Sequence, residues 1–285
     1  MTSQSSPPAA DDAAITAPAA KYTHGHHASV LAAHRWRTIA NSAAYLEPRL
    51  MAGRSLLDVG CGPGTITAEF AQRLAPGRVI GLDAAADAIA TARAHADEVG
   101  ADVSFVQGDA FALPFDDGAF DIVHSHQTLQ HVADPVSMLR EMARVTAPGG
   151  TVAARDVDYS ATTWFPSLPG LAQWLDLYLR VHRSNGGEPN AGRHLKAWAR
   201  GAGLENLETT ATVWLFSEQT DREWWGGAWA ERTLHSSFAR DALDGGHATE
   251  LELQQISTAW REWARHDDAM LTMTHVEVIG SPGRR

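Results

Sequence analysis

His124, His126 and His131 fall within the short run HSHQTLQH, with Ser125 and Gln127 between them. Imidazole is the side chain whose ordinary pKa places proton exchange near neutrality, so a cluster of this kind is suited to acid–base work. A second polar group follows in ARDVDY, which carries Arg155, Asp156, Asp158 and Tyr159. If that stretch stays extended through Tyr159, the alternation of a strand puts Asp156 and Asp158 on one face, where either carboxylate could meet a bound molecule. His126, Asp156 and Asp158 are therefore the candidate catalytic residues. Each is equally suited to bonding a neighbouring loop, and residue type alone does not choose between the two roles.

A third group has different chemistry. LLDVGCGPGT places Gly60, Gly62 and Gly64 directly behind an apolar run. Glycine allows the backbone to turn tightly and lets a ligand lie against it, although a bare tight turn would use the same residues. Asp83, at the end of VIGLD, lies about 20 positions beyond the loop, the spacing at which an acidic side chain accepts hydrogen bonds from ribose hydroxyls. The ligand expected here contains a nucleoside. A dinucleotide loop reads G-x-G-x-x-G; this one reads G-x-G-x-G and follows Asp58, whose charge would repel a pyrophosphate and attract an ammonium or sulfonium.

These groups need a scaffold, and the apolar pattern supplies one. Strands are expected over 55–59, 78–83, 103–107, 120–124 and 151–156, with helices over 66–74, 84–99 and 135–145, the last with Asp134 as N-cap and Pro135 at its first position. Such alternation implies an α/β fold, a doubly wound and mostly parallel sheet that binds ligands beyond the carboxyl ends of its strands. Upstream, a helical pattern starts at Ala28 and ends near Pro48. Downstream, helices are expected from Leu171 to Leu179, from His194 to Ala202 and within 221–267, with strands over 206–216 and 270–279. Residues 1–20, rich in Ala, Ser, Pro and Asp, read as a disordered tail, and 21–285 as one domain. Its cofactor-binding core spans about 50–158, and its helical lid about 160–203 and 219–268.

The chain resembles the class I S-adenosylmethionine-dependent methyltransferases through LLDVGCGPGT, Asp83, Gln107-Gly108-Asp109-Ala110 and FDIVHSHQTLQHVADPVSMLREMARVTAPGG. The resemblance covers roughly residues 22–158 and is nearest the ubiquinone- and menaquinone-methyltransferase branch. It implies a Rossmann-like seven-stranded sheet and S-adenosylmethionine as cofactor, with S-adenosylhomocysteine as product. It implies that Asp58, Gly60, Cys61 and Gly62 hold the methionine part, Asp83 and Ala84 the ribose, and Gly108, Asp109 and Ala110 the adenine. Ser125, His126 and His131 would close the site from the fourth strand, and YTHGHHASVLAAHRWRTIANSAAYL would fold over it with Tyr22, Thr23 and His27.

Methyl transfer is an in-line displacement that asks the protein mainly for alignment and exclusion of water. The motif of exocyclic-amine nucleobase methyltransferases is absent after the fourth strand, and the only cysteine, Cys61, sits inside the glycine loop rather than where a C5 nucleophile would stand. The formal net charge of −11 also argues against a nucleic-acid surface. A small molecule is the expected acceptor, with Gln127, Arg193, Trp225 and Trp229 as candidate contacts. Indole faces suit an aromatic acceptor, an indole-like or other natural product or a quinone, methylated at C, N or O. A nicotinamide oxidoreductase, or a non-catalytic protein that kept the nucleoside site, are the competing readings. His24, His26 and His27 with His124 and His126 invite a metal, but no carboxylate-rich triad accompanies them and none is expected. The first residues lack a secretory pattern and no apolar run reaches the about 18 residues of a membrane span, so a cytoplasmic protein without a membrane partner is expected. The oligomeric state stays open, a homodimer included.

Overall fold

A computed structural model describes residues 36–283. Seven strands form one sheet in the order β3-β2-β1-β4-β5-β7-β6. They are β1 (Leu56–Val59), β2 (Val79–Asp83), β3 (Ser104–Gln107), β4 (Phe120–His126), β5 (Thr146–Phe165), β6 (Leu204–Phe216) and β7 (Met270–Pro282). β1 to β5 pair in parallel, and β7 runs antiparallel to both β5 and β6. The sheet is thus the mostly parallel, seven-stranded one that the resemblance implies.

Alternation along each parallel strand divides the core between two faces. Leu56, Ile122 and Ala153 pack with Phe70 and Leu74 of α1 (Thr65–Leu74) and with Leu46 of the upstream segment. Leu57, Val123 and Val152 pack instead with Met138, Leu139 and Met142 of α3 (Pro135–Val145). Between these, α2 (Ala86–Val99) seals the β3 edge through Ile89 and Ala92 on Phe105. Asp134 caps α3 as expected, its carboxylate accepting from the Ser137 amide at 3.0 Å.

Beyond the glycine-loop half the structure departs from sequence expectation in three ways. β5 does not stop at Asp156 but continues to Phe165, paired with β7 from Asp158 to Phe165 across a register shift. The proposed lid divides into two structures. α5 (Ala191–Gly201) packs through Leu195 and Ala199 against the sheet beside α3. By contrast α4 (Pro169–Ser184), α6 (Gln219–His235), α7 (Ser237–Asp244) and α8 (Glu250–Arg265) form a separate layer over the ends of β5, β6 and β7. The helical region expected within 221–267 is three helices, broken where Ser236 caps α7 and where Gly245 and Gly246 end it. At the other end, Ile39–Ala43 is a π-helical turn continuing into a 3₁₀ turn at Ala44–Arg49, with Pro48 inside it. The expected tail and Tyr22, Thr23 and His27 lie outside the described residues.

The helical layer is built on aromatic edges. Trp174 meets Trp229 at 4.7 Å and Trp260 at 4.8 Å, both near perpendicular, and Trp225 stacks on Phe216 at 4.4 Å. Edge-to-face pairs of this kind add to the burial of large apolar surfaces. Among the described residues, no helix is long and apolar enough to cross a membrane.

Candidate functional site

β1 ends at Val59 and α1 begins at Thr65, and Gly60, Cys61, Gly62 and Pro63 between them form the floor of a cavity of about 320 Å³. Gly60, Gly62 and Gly64 all take positive φ, at 77°, 54° and 77°. A side chain at Gly60 would also collide with Thr128, whose Oγ1 would lie 2.3 Å from its Cβ. The amides of Gly60 and Cys61 both donate to the Leu82 carbonyl, which ties the loop to β2. Asp83 then locks the far side, its Oδ2 accepting from the Gly62 amide and its Oδ1 from the Ala85 amide, each at 2.9 Å. An ionised carboxylate has about four acceptor positions, so half of its capacity is left for hydroxyl donors of a ligand. Asp109 is held in the same way, its Oδ1 accepting from the Phe111 amide at 2.8 Å.

The walls come from β4 and its loop. Asp58 lines the cavity with both oxygens engaged, Oδ1 by His124 Nδ1 at 2.8 Å and Oδ2 by the Thr67 hydroxyl at 2.6 Å. With only 3% of its surface exposed, that carboxylate needs these donors. His126, Arg155, Glu277 and Thr210 stand side by side on one row across β4, β5, β7 and β6. Arg155 donates to His126 Nε2 at 2.8 Å and to Glu277 Oε1 at 3.1 Å, all three side chains being buried. A guanidinium can only donate, so His126 Nε2 is an acceptor and the ring proton sits on Nδ1. Desolvation, reinforced by the Arg37 and Arg155 cations, holds the His126 pKa well below its ordinary value, so the ring is neutral. Burial likewise lowers Arg155 to about 10, with Glu277 opposing the shift.

A second chain of bonds crosses the cavity mouth. Arg37 donates to Gln127 Oε1 at 2.7 Å, and Gln127 Nε2 stands 2.7 Å from His275 Nε2. With the Gln127 oxygen taken by Arg37, its NH₂ must donate to His275, whose Nδ1 proton then goes to the Met273 carbonyl at 3.1 Å. Gln127 itself has φ 51°, an uncommon state for a residue with a side chain, held here by bonds on both sides.

Twelve of the residues expected from sequence line this cavity: Asp58, Gly60, Cys61, Gly62, Asp83, Ala84, Gly108, Asp109, Ala110, His126, Gln127 and His131. The rest are placed differently. Ser125 is buried in β4. Asp158 and Arg193, expected as base and acceptor contact, grip each other in a bidentate pair of 2.6 and 2.7 Å outside the cavity. Asp156 lies outside it as well, fully buried, with neither oxygen in a well-formed hydrogen bond. Its burial raises the carboxyl to about 8, the amides of Gln130, Val157 and Leu129 offsetting only part of that cost. Trp225 and Trp229 are core of the helical layer, not cavity wall, because their faces are filled by Phe216, Trp174 and Trp260. Sequence reasoning missed Arg37 and Thr128, both of which line the cavity. Arg37 lay in a helical pattern read only for its apolar face, and a lone threonine in a loop carries no signal. Among the described residues, no three His, Cys, Asp or Glu side chains are grouped to hold a metal.

Residues 50–199 match the family of methyltransferase domains. An uncharacterized methyltransferase of Schizosaccharomyces pombe is 33% identical over 268 residues, covering 90% of this chain and 95% of that protein. A demethylmenaquinone methyltransferase of Lactococcus lactis is 35% identical over 132 residues, 46% of this chain and 50% of its own. Among solved structures, a phosphoethanolamine N-methyltransferase of Haemonchus contortus in complex with S-adenosylmethionine aligns with a TM-score of 0.52 at 18% identity, over 85% of this chain and 52% of its own. At that identity the likeness speaks for the fold alone. The family match spans more than half of the described sheet and its helices, and the Schizosaccharomyces relative extends the similarity to 90% of this chain. The chain belongs to the methyltransferase domain family and is an S-adenosylmethionine-dependent methyltransferase.

Proposed function

We propose that the acceptor is a small hydroxylated aromatic, a phenol or the quinol form of a quinone, and that the glycine-floored cavity holds the cofactor. The observation that carries the acceptor class is the aromatic and cationic wall next to His126, where Trp214 lies 6.1 Å from the imidazole with Arg37 and Arg155 over its indole ring at 5.7 and 5.1 Å. A flat, electron-rich ring bearing an oxygen suits such a wall. The Lactococcus relative, named for demethylmenaquinone, shares the cofactor half of the chain and is consistent with this class.

The roles follow from the bonds already described. Gly60 and Gly62 leave their backbone bare for the methionine part, Asp83 accepts from the ribose hydroxyls with its free lone pairs, and Asp109 with Ala110 borders the adenine. Bound there, S-adenosylmethionine supplies an electrophilic methyl group on a sulfonium centre. His126 does not act as a base through Nε2, since Arg155 occupies that lone pair. It offers an Nδ1 proton donor instead and orients an oxygen of the acceptor. The nucleophile is therefore a carbon or an oxygen that is already electron-rich in the bound form, and the protein contributes alignment.

Calorimetric titration with S-adenosylmethionine tests the cofactor assignment. Asp83→Ala is expected to weaken binding by roughly 10- to 100-fold, because hydrogen bonds to a charged acceptor contribute about 1.5–3 kcal/mol. Unchanged affinity would remove Asp83 from the site. Incubation with methyl-labelled cofactor and a panel of hydroxylated bicyclic aromatics, set against aliphatic amines, tests the acceptor class. Label in the amines alone would overturn it.

A further inference from the structure

Helix α4 ends against the wall of the cofactor cavity, and one buried side chain makes the join. His182, in the last turn of α4, donates from Nε2 to the Gln130 carbonyl at 2.8 Å, and its Nδ1 stands 3.1 Å from the Tyr178 hydroxyl. A carbonyl only accepts, so the ring proton is on Nε2 and Nδ1 accepts from Tyr178. The same ring lies 4.9 Å from that of His131, tilted by 33°. His131 and Gln127 both line the cavity, and Gln130 falls between them in sequence.

The Gln130 carbonyl is the point on which this end of the molecule converges. The Glu188 amide also donates to it, at 2.9 Å, so both of its lone pairs are taken. Gly187 fits there because it lacks a side chain: a Cβ would lie 2.4 Å from the Gln130 oxygen and 2.6 Å from His182 Nε2. On the cavity side, Gln130 Nε2 reaches the Gln127 carbonyl at 3.4 Å, and Gln127 bonds Arg37 at the mouth. On the helical side, Tyr178 is fully buried and packs on Tyr159 at 4.1 Å and on Trp229 at 5.6 Å. A path of bonds and ring contacts therefore runs from the aromatic layer through His182 to two residues of the cavity wall. Helix α4 is anchored in that layer without it, by Leu171, Trp174, Leu177 and Val181. A neutral imidazole combines what this place requires, a donor at one nitrogen, an acceptor at the other and a flat face toward His131.

We infer that His182 is a positioning residue for the cofactor cavity, holding the Gln130 carbonyl and the ring of His131 so that the loop from Gln127 to His131 presents a preformed wall to S-adenosylmethionine. The inference rests on the methyltransferase reading and adds to it a determinant of cofactor affinity that lies outside the cavity. His182 does not line the cavity, so its effect passes through His131 and Gln127. A wall already ordered in the free protein imposes no ordering cost on binding, and a loosened wall does. The coupling is also reciprocal, because a cofactor that favours the ordered loop favours the docked end of α4 to the same extent.

The test titrates the whole chain calorimetrically with S-adenosylhomocysteine, with urea denaturation to establish that each variant is folded. His182→Leu keeps the bulk and loses both bonds and the flat face, and is expected to weaken binding by about 3- to 10-fold. His182→Gln still carries a donor for the Gln130 carbonyl and is expected to recover most of that loss. Tyr178→Phe removes only the hydroxyl that bonds His182, and is expected to weaken binding by about 2- to 3-fold, which keeps the inference testable should His182→Leu not fold. The loss must also pass through the wall. In a His131→Ala background, His182→Leu is expected to cost less than about 2-fold, whereas in an Asp83→Ala background, across the cavity, it is expected to cost its full factor. A role in packing alone would lower the urea midpoint and leave the affinity of the folded protein at its wild-type value. That result, equal losses with and without the His131 side chain, or a His182→Gln variant no better than His182→Leu would each overturn the inference. Failure of S-adenosylhomocysteine to bind the wild type would instead strike at the methyltransferase reading beneath it.

Discussion

Arg155→Ala is expected to lower the unfolding free energy by about 3–5 kcal/mol, measured by urea denaturation. The size follows from what stays behind. Glu277 is fully buried and keeps only the Thr210 and Thr212 hydroxyls, while His126 Nε2 loses its donor in the same step. A carboxylate left in that environment is an uncompensated charge, and its desolvation cost is no longer offset. Replacing both partners separates this penalty from the worth of the pair. Arg155→Met combined with Glu277→Leu is expected to recover most of the loss, because two apolar side chains of similar volume need no partners. A loss below about 1 kcal/mol in the single variant would show that water reaches the row between β5 and β7.

The second large effect depends on pH. Asp156 has an ordinary pKa of 3.8 when unfolded and about 8 when folded, so between those values the native chain keeps a proton that the unfolded chain has released. The native state binds more protons, so stability falls as pH rises through that window, by up to about 1.4 kcal/mol per pH unit and several kcal/mol in all. It levels off above about pH 8. Asp156→Asn carries no such proton, so its stability is expected to stay nearly flat from pH 6.5 to 8.5 while that of the wild type declines. Parallel declines in the two proteins would place the titration elsewhere. The acid side has a separate cause and the opposite sign. His182, lowered to about 4 by burial, and His126 and His275, lowered by the same means, are neutral when folded, so stability is lost as pH falls from 6.5.

The contrast between Asp156 and Asp83 shows what sequence can and cannot convey. Asp83 was legible because its partners are local: the loop it bonds lies 21 residues away, on the adjacent strand. Helix α3 was legible to the residue, since Asp134 and Pro135 specify its start without help from tertiary contacts. The apolar alternation breaks beyond Asp156, which hides the rest of β5, although Arg155, Asp156 and Asp158 are all buried. Their burial is explained only by residues far along the chain, Glu277 for Arg155 and Arg193 for Asp158. Trp225 and Trp229 were misplaced for a related reason. An indole that stacks on a ligand and one that packs on Trp260 look alike until Trp260 is brought beside it.

All ten tryptophans lie outside residues 50–158. The fluorescence of this protein is therefore a partial witness. Emission reports the aromatic layer of α4, α6, α7 and α8 together with Trp36, Trp164, Trp198 and Trp214, while the glycine-loop half of the sheet contributes no indole signal of its own. An unfolding curve followed by indole emission records when the aromatic layer opens, and one followed by backbone dichroism records the whole sheet. The difference between the two curves measures how tightly the cofactor half and the aromatic half are coupled.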